Sequence, residues 1–234
     1  MIHSGNLIIT ADNCSDFKNI AEITGYLEIK RGVTFDAPAL TSVGGYVSVS
    51  GKFDAPALTS VGGSVSVYGK FDAPALTSVG GYVSVYVSGK FDAPALTSVG
   101  GDVYVYGKFD APALTSVGGH VSVSVSGKFD APALTSVGGY VSVYGKVDAP
   151  ALTSVGGHVS VSGKFDAPAL TSVYGVPGKL LAVKDYWLWK SNEGKYYAGC
   201  KRGFSKDQCI RLSKSYEDQE TAQLFINAII ESEK

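Results

Sequence analysis

From residue 35 to residue 173 the apolar residues come back at fixed places, and so do the polar residues between them. In the first unit the apolar positions are Phe35, Ala37, Leu40, Val43, Val47 and Val49. Tyr46-Val47-Ser48-Val49-Ser50 alternates strictly, which is the pattern of a strand with one buried face. Gly44-Gly45 turns the chain into that strand and Gly51-Lys52 turns it out. Pro38 has no backbone donor and a fixed φ, so it belongs to a connecting segment rather than a ladder. Asp36, two residues ahead of it, is expected to accept a free N–H of the following turn. Each unit should therefore run strand, turn, short bent segment, turn.

The unit begins again at Phe53, Phe71, Phe91, Phe109, Phe129, Val147 and Phe165, a spacing of 18 or 20 residues. Repeats made of two helices need about 30 residues or more, and a helical period is absent. So short a unit cannot bury its valines alone. Stacked on copies of itself, with strands about 4.8 Å apart, it forms a continuous core. The prediction is a mainly β fold, a single-stack β-solenoid of 18- or 20-residue coils.

The longer units, Tyr82 to Ser88 and His120 to Ser126, each add one valine and one serine. One extra residue would turn every later side chain to the wrong face, whereas two keep the alternation. The added pair is thus expected to continue the strand. Upstream, Ile20, Ile23, Leu27 and Ile29 reproduce the spacing of Leu40, Val43, Val47 and Val49, and Leu7 with Ile9 match the valine pair one coil earlier. Roughly nine coils, from about residue 5 to about residue 173, would stack to about 40 Å. The expected domains are degenerate capping coils over 1–34, solenoid repeats over 35–178 and a C-terminal module over 179–234.

The run L-x-x-V-G-G-x-V-x-V-x-G, carried by Leu40, Val43, Gly44, Gly45, Val47, Val49, Gly51 and their copies, resembles the leucine-rich-repeat-like, receptor-L-domain-like β-solenoids of bacterial and phage proteins. The resemblance covers about three quarters of the chain. It implies an architecture and leaves function open, since such scaffolds carry unrelated tasks. The shorter unit and the missing asparagine ladder imply a straighter stack than a leucine-rich-repeat horseshoe.

A formal net charge of −1 gives no global field to recruit nucleic acid or membrane. With repeat-like sequence within the first ten residues no signal peptide is expected, and no apolar run is long enough to span a bilayer. Cys14, Cys200 and Cys209 lack paired or metal-ligand spacing, which favours a reducing compartment, the cytoplasm.

The copies differ in few places. The residue after Gly-Gly reads Tyr46, Ser64, Tyr82, Asp102, His120, Tyr140, His158. Two further on it reads Ser48, Ser66, Ser84, Tyr104, Ser122, Ser142, Ser160, and two beyond that Ser50, Tyr68, Tyr86, Tyr106, Ser124, Tyr144, Ser162. All alternate with the valines, so all should point outward from one sheet. Tyrosine gives a large rigid contact with few torsions to freeze, and serine adapts its hydrogen bonds, the pairing favoured in antibody binding loops. The plainer alternative is that exposed strand positions drift and tyrosine suits strands. The candidate binding residues are Tyr46, Tyr68, Tyr82, Tyr86, Asp102, Tyr104, Tyr106, His120, Tyr140, Tyr144 and His158, with a hot spot around Tyr68, Tyr86, Tyr104 and Tyr106.

Other chemistry is weaker. Asp102, His120 and Ser122 contain the side chains of a catalytic triad, but an open strand face provides no oxyanion hole or water exclusion. No cofactor or metal is expected. The aspartate row from Asp36 to Asp166 lacks the glycine-aspartate nonapeptide of calcium-binding β-rolls, and each aspartate follows a lysine such as Lys52 or Lys70 by two residues. The threonine rows suggest ice binding, but bulky tyrosines interrupt the candidate sheet.

After Val173 the repeat breaks at Tyr174-Gly175-Val176-Pro177-Gly178. Residues 185–190 and 195–199 flank Ser191-Asn192-Glu193-Gly194 as a hairpin, and no third strand is evident. Ser205 is placed as the N-cap of a short helix, and a second helix is expected from about Asp218 to Glu233. Such a ββαα module could cap the stack, mediate homo-oligomers, or bind nucleic acid through the basic, aromatic stretch 184–214. The expectation for the whole chain is a non-enzymatic, cytoplasmic protein-binding scaffold, plausibly a phage or bacterial conflict factor that inhibits a host defence protein. A nucleic-acid-binding protein and an adhesin-like structural repeat protein are the alternatives.

Overall fold

A computed structural model describes residues 1–183, 187–193, 196–198, 201–205, 207, 208, 210, 223, 226, 227, 229 and 230, with the side chains of 179–188, 196–198 and 201–204 outside that description. It is a parallel β-solenoid. Each of the eight complete coils has three short strands rather than the single strand expected, as in Ser42–Val43, Val47–Val49 and Lys52–Asp54. The segments taken as a bend and a turn are thus strands as well. Their apolar residues explain this: Val43 and Phe53 point inward as Val47 and Val49 do, so three faces each send side chains to one core.

Stacking gives three sheets. Ten parallel strands, Ile2–His3 to Ser172–Val173, form the serine-valine sheet. Nine, Leu7–Ile9 to Val159–Val161, form the valine sheet, and eight, Thr34–Asp36 to Lys164–Asp166, form the phenylalanine sheet. Pairing joins like to like, Val65 to Val47 and Val83, Phe71 to Phe53 and Phe91. Ten rungs at about 4.8 Å span about 43 Å.

The core is a set of stacked rows. Leu40, Val47, Val49, Phe53 and Ala55 are fully buried. Phe71, Phe91, Phe109 and Phe129 stack with ring centroids 5.0 Å apart at each step. Val147 interrupts that row, and Phe165 beyond it is only partly buried. Gly44 and its copies let the coils approach: a Cβ on Gly118 would collide with the carbonyl oxygen of Gly100.

Threonine supplies a further ladder. The Thr97 hydroxyl donates to the Thr77 carbonyl at 3.0 Å, and the same bond recurs from Thr41 to Thr171. The constancy of that row therefore has a structural cause. The aspartate row behaves differently from expectation. Among the described residues no aspartate side chain of this row bonds a turn amide. Lys70 pairs with Asp72 at 2.9 Å and Lys108 with Asp110 at 3.3 Å, both on the surface.

The inserted pairs do not lengthen their strand. Val83–Val85 ends where its neighbours end, and Tyr86 to Gly89 forms a turn closed by the Gly89 N–H on the Tyr86 carbonyl at 2.7 Å. Val87 and Val125 are therefore 70% and 81% exposed. Alternation is indeed preserved, but because two residues leave the coil together.

At the first coil Asn13 ties the opening loop, accepting the Thr10 N–H at 2.8 Å and donating to the Ile8 carbonyl at 3.0 Å. At the other end Val176–Val183 pairs antiparallel with Ser172–Val173, followed by Trp187–Ser191, Tyr196–Ala198 and Lys201–Phe204 in a meander. The expected hairpin is present, with an additional strand on each side of it. Trp189 is fully buried in the solenoid's own core cluster, so the meander covers the last coil. Ser205 caps as expected: its hydroxyl accepts the Gln208 N–H at 3.3 Å while the Gln208 amide oxygen accepts the Ser205 N–H at 2.9 Å. Most of the two expected helices lies outside the described residues, as do most side chains of the basic stretch 184–214. Among the described residues no helix is long and apolar enough to cross a membrane.

Candidate functional site

The variable positions form three columns on the outer face of the valine sheet, above valines that are fully buried. The structure places all of the candidate binding residues on this one wall. They do not all do the same thing there.

In the column after Gly-Gly, each N–H faces the side chain of the coil before it. Asn6 accepts the Tyr26 N–H at 3.2 Å and Ser64 accepts the Tyr82 N–H at 3.2 Å. Asp102 accepts the His120 N–H at 2.7 Å, and His120 Nδ1 accepts the Tyr140 N–H at 2.9 Å. Short acceptors at this position thus satisfy backbone donors that the sheet leaves open. Rings at the same position stack instead: Tyr26 on Tyr46 at 4.5 Å, His120 on Tyr140 at 3.8 Å, Tyr140 on His158 at 4.9 Å. Part of the narrow alphabet therefore serves the fold, which sequence reasoning missed. The signal was there in the alternation of acceptors and rings down one column.

The triad side chains are not brought into a relay. Asp102 holds the backbone N–H of His120, not its ring, and the ring's Nδ1 is engaged by Tyr140. Asp102 also accepts the Tyr104 hydroxyl at 2.7 Å. These bonds, the His120 N–H foremost, hold the Asp102 carboxyl below the usual carboxylate range. The bond to Asp102 pushes the Tyr104 phenol up to about 12.

The third column faces outward. Tyr68 and Tyr86 stack at 3.8 Å, and Tyr86 and Tyr106 at 6.2 Å. Tyr68 is pushed up to about 12 by the Tyr86 phenol beside it and then by desolvation. Tyr68, Tyr106 and Tyr144 expose 44%, 42% and 53% of their surface, and Tyr46 and Tyr82 also stand out from the first column.

Two clefts open beside this row. One, of about 400 Å³, lies among Tyr82, Ser84, Tyr86, Val87, Tyr104 and Tyr106. The other, of about 560 Å³, is lined by Arg31, Ser50, Tyr68, Tyr86, Val87 and Ser88. A longer trough of about 920 Å³ runs over the serine-valine sheet along Ser42, Gly44 and their copies. Its residues are constant, so a search for variation passes over it. Comparison with family models, with curated proteins and with solved structures finds no match to this chain.

Proposed function

We propose that this protein is a non-enzymatic scaffold that binds another protein through the tyrosine-bearing part of the valine sheet. The observation that carries the reading is the row Tyr68, Tyr86, Tyr106, whose rings stack on one another and stand partly exposed on a rigid sheet while every valine beneath them is buried. A preorganised aromatic surface of this kind binds with little further entropy cost. Asp102 and His120 each accept a backbone N–H of the next coil, so both also set the wall's shape.

The leucine-rich-repeat-like character of the coils fits a scaffold role. Near-identical coils also imply recent copying within the gene, which suits a surface under pressure to change. A conflict factor aimed at a bacterial defence protein is the biological setting we favour. The test is capture from bacterial lysate with the tagged chain, followed by a variant with Tyr86, Tyr104 and Tyr106 all changed to alanine. Hot-spot tyrosines are worth about 2 kcal/mol or more, so affinity for the captured protein should fall at least about 30-fold. Unchanged affinity would remove this wall from the binding surface.

A further inference from the structure

We propose that the cleft over Ser84 receives the guanidinium of an arginine side chain from the partner protein, a reading that rests on the binding role of this wall. Tyr82 and Tyr86 flank Ser84 on one coil, Tyr104 and Tyr106 stand on the next, and Val87 overhangs from the inserted turn. At about 400 Å³ the space falls within the size of small ligand clefts.

Two independent observations choose the occupant. The first is Ser84 itself. It is 6% exposed, whereas Ser48, Ser66, Ser122, Ser142 and Ser160 in the same column are only half-buried. Its hydroxyl lines the cleft and has no side-chain hydrogen-bond partner among the described residues. That hydroxyl opens into the cleft, so an occupant that donates an N–H satisfies it, whereas one that covers it without donating leaves it unpaired at a cost.

The second is charge. From Tyr46 to Ser162 the three columns carry one formal charge, the Asp102 carboxylate. Its bonds to the His120 N–H and the Tyr104 hydroxyl keep it ionised. Tyr104 donates to that carboxylate, which enriches its ring in electron density. A box of phenol rings beside one carboxylate attracts a cation.

Among cations, arginine meets all the demands together. Its planar group stacks on tyrosine faces, is weakly hydrated, and presents five N–H donors. A quaternary ammonium has no N–H for Ser84. A lysine ammonium is compact and strongly hydrated, so it gains less from ring faces. A neutral aromatic side chain would gain nothing from Asp102.

The test uses the full chain with isotope-labelled tyrosine rings, followed by NMR. Nα-acetyl-arginine amide, Nα-acetyl-lysine amide and tetramethylammonium chloride are titrated separately. The arginine probe should shift the ring signals of Tyr82, Tyr86, Tyr104 and Tyr106, and bind at least about fivefold tighter than either other cation. Ser84→Ala and Asp102→Asn should each weaken it at least about threefold, with thermal unfolding showing that both variants are folded. Asp102→Asn keeps an acceptor for the His120 N–H, and if it fails to fold, Ser84→Ala decides.

Equal or tighter binding of tetramethylammonium, no shift with arginine up to about 50 mM, or undiminished binding in the folded variants would overturn the proposal. Partner capture that survives Ser84→Ala and Asp102→Asn but is lost in the triple tyrosine variant would sink the arginine site and leave the binding wall standing. Arginine binding with capture indifferent to the tyrosines would do the reverse.

Discussion

Phe91 is the position at which the stacked core can be measured most directly. Its ring is 1% exposed and sandwiched between Phe71 and Phe109, each 5.0 Å away, in the fifth of ten rungs. Phe91→Ala removes the ring and leaves a cavity that stiff neighbouring coils cannot close. Phenylalanine-to-alanine changes of this kind cost about 3–5 kcal/mol. Val147→Ala, in the same row, removes two carbon atoms and should cost about 1.6 kcal/mol at about 0.8 kcal/mol for each. Urea denaturation followed by circular dichroism compares the two. Because each coil contacts only its neighbours, the Phe91 lesion should also broaden or split the transition as the two half-stacks separate. A loss for Phe91→Ala no larger than that for Val147→Ala would refute the idea that continuous ring stacking holds the coils together.

Thr97→Val deletes one hydroxyl rung while the Thr77 carbonyl keeps the Thr97 N–H at 2.9 Å, so the cost should be about 0.5–1.5 kcal/mol by the same assay. Gly118→Ala forces a Cβ onto the Gly100 carbonyl and should destabilise by about 1–3 kcal/mol, read as a fall in Tm. Asp102 has a lowered folded-state pKa, so its contribution is present above the unfolded carboxylate value of about 3.9 and is lost as pH falls through the folded value. The stability gap between wild type and Asp102→Ala should therefore close below about pH 4 in urea titrations at stepped pH. Asp92 is the opposite case: burial, and then the carboxylates of Asp72 and Asp110, raise its pKa, so ionisation opposes folding. Asp92→Asn should raise the urea midpoint at pH 7, with the gain vanishing below about pH 3.9.

The inward rows were legible in the sequence because burial on one side of a strand writes itself as a period of two, plain in Val47-Ser48-Val49. The other two strands of each coil were not. Ser42–Val43 has two residues and Lys52–Asp54 three, too few to show a period, and glycine or lysine beside them signals a turn. Val87 misled for a related reason: valine-serine reads alike in a strand and in an extruded turn, and only the bond from Gly89 to Tyr86 separates them. The outward wall was found by comparing copies. The acceptor role of Asp102 and His120 and the burial of Ser84 were not, since each depends on what the adjacent coil presents across about 4.8 Å.

The pairing of like with like at every rung has one more consequence. A coil removed whole, or copied whole, meets the same neighbours as the one it replaces, from the Phe91 ring to the Thr97 hydroxyl. The gene can therefore lengthen or shorten the rod in increments of about 4.8 Å without redesigning either terminus. Each such step slides the tyrosine platform relative to the C-terminal meander, so the distance between them becomes a heritable, adjustable dimension.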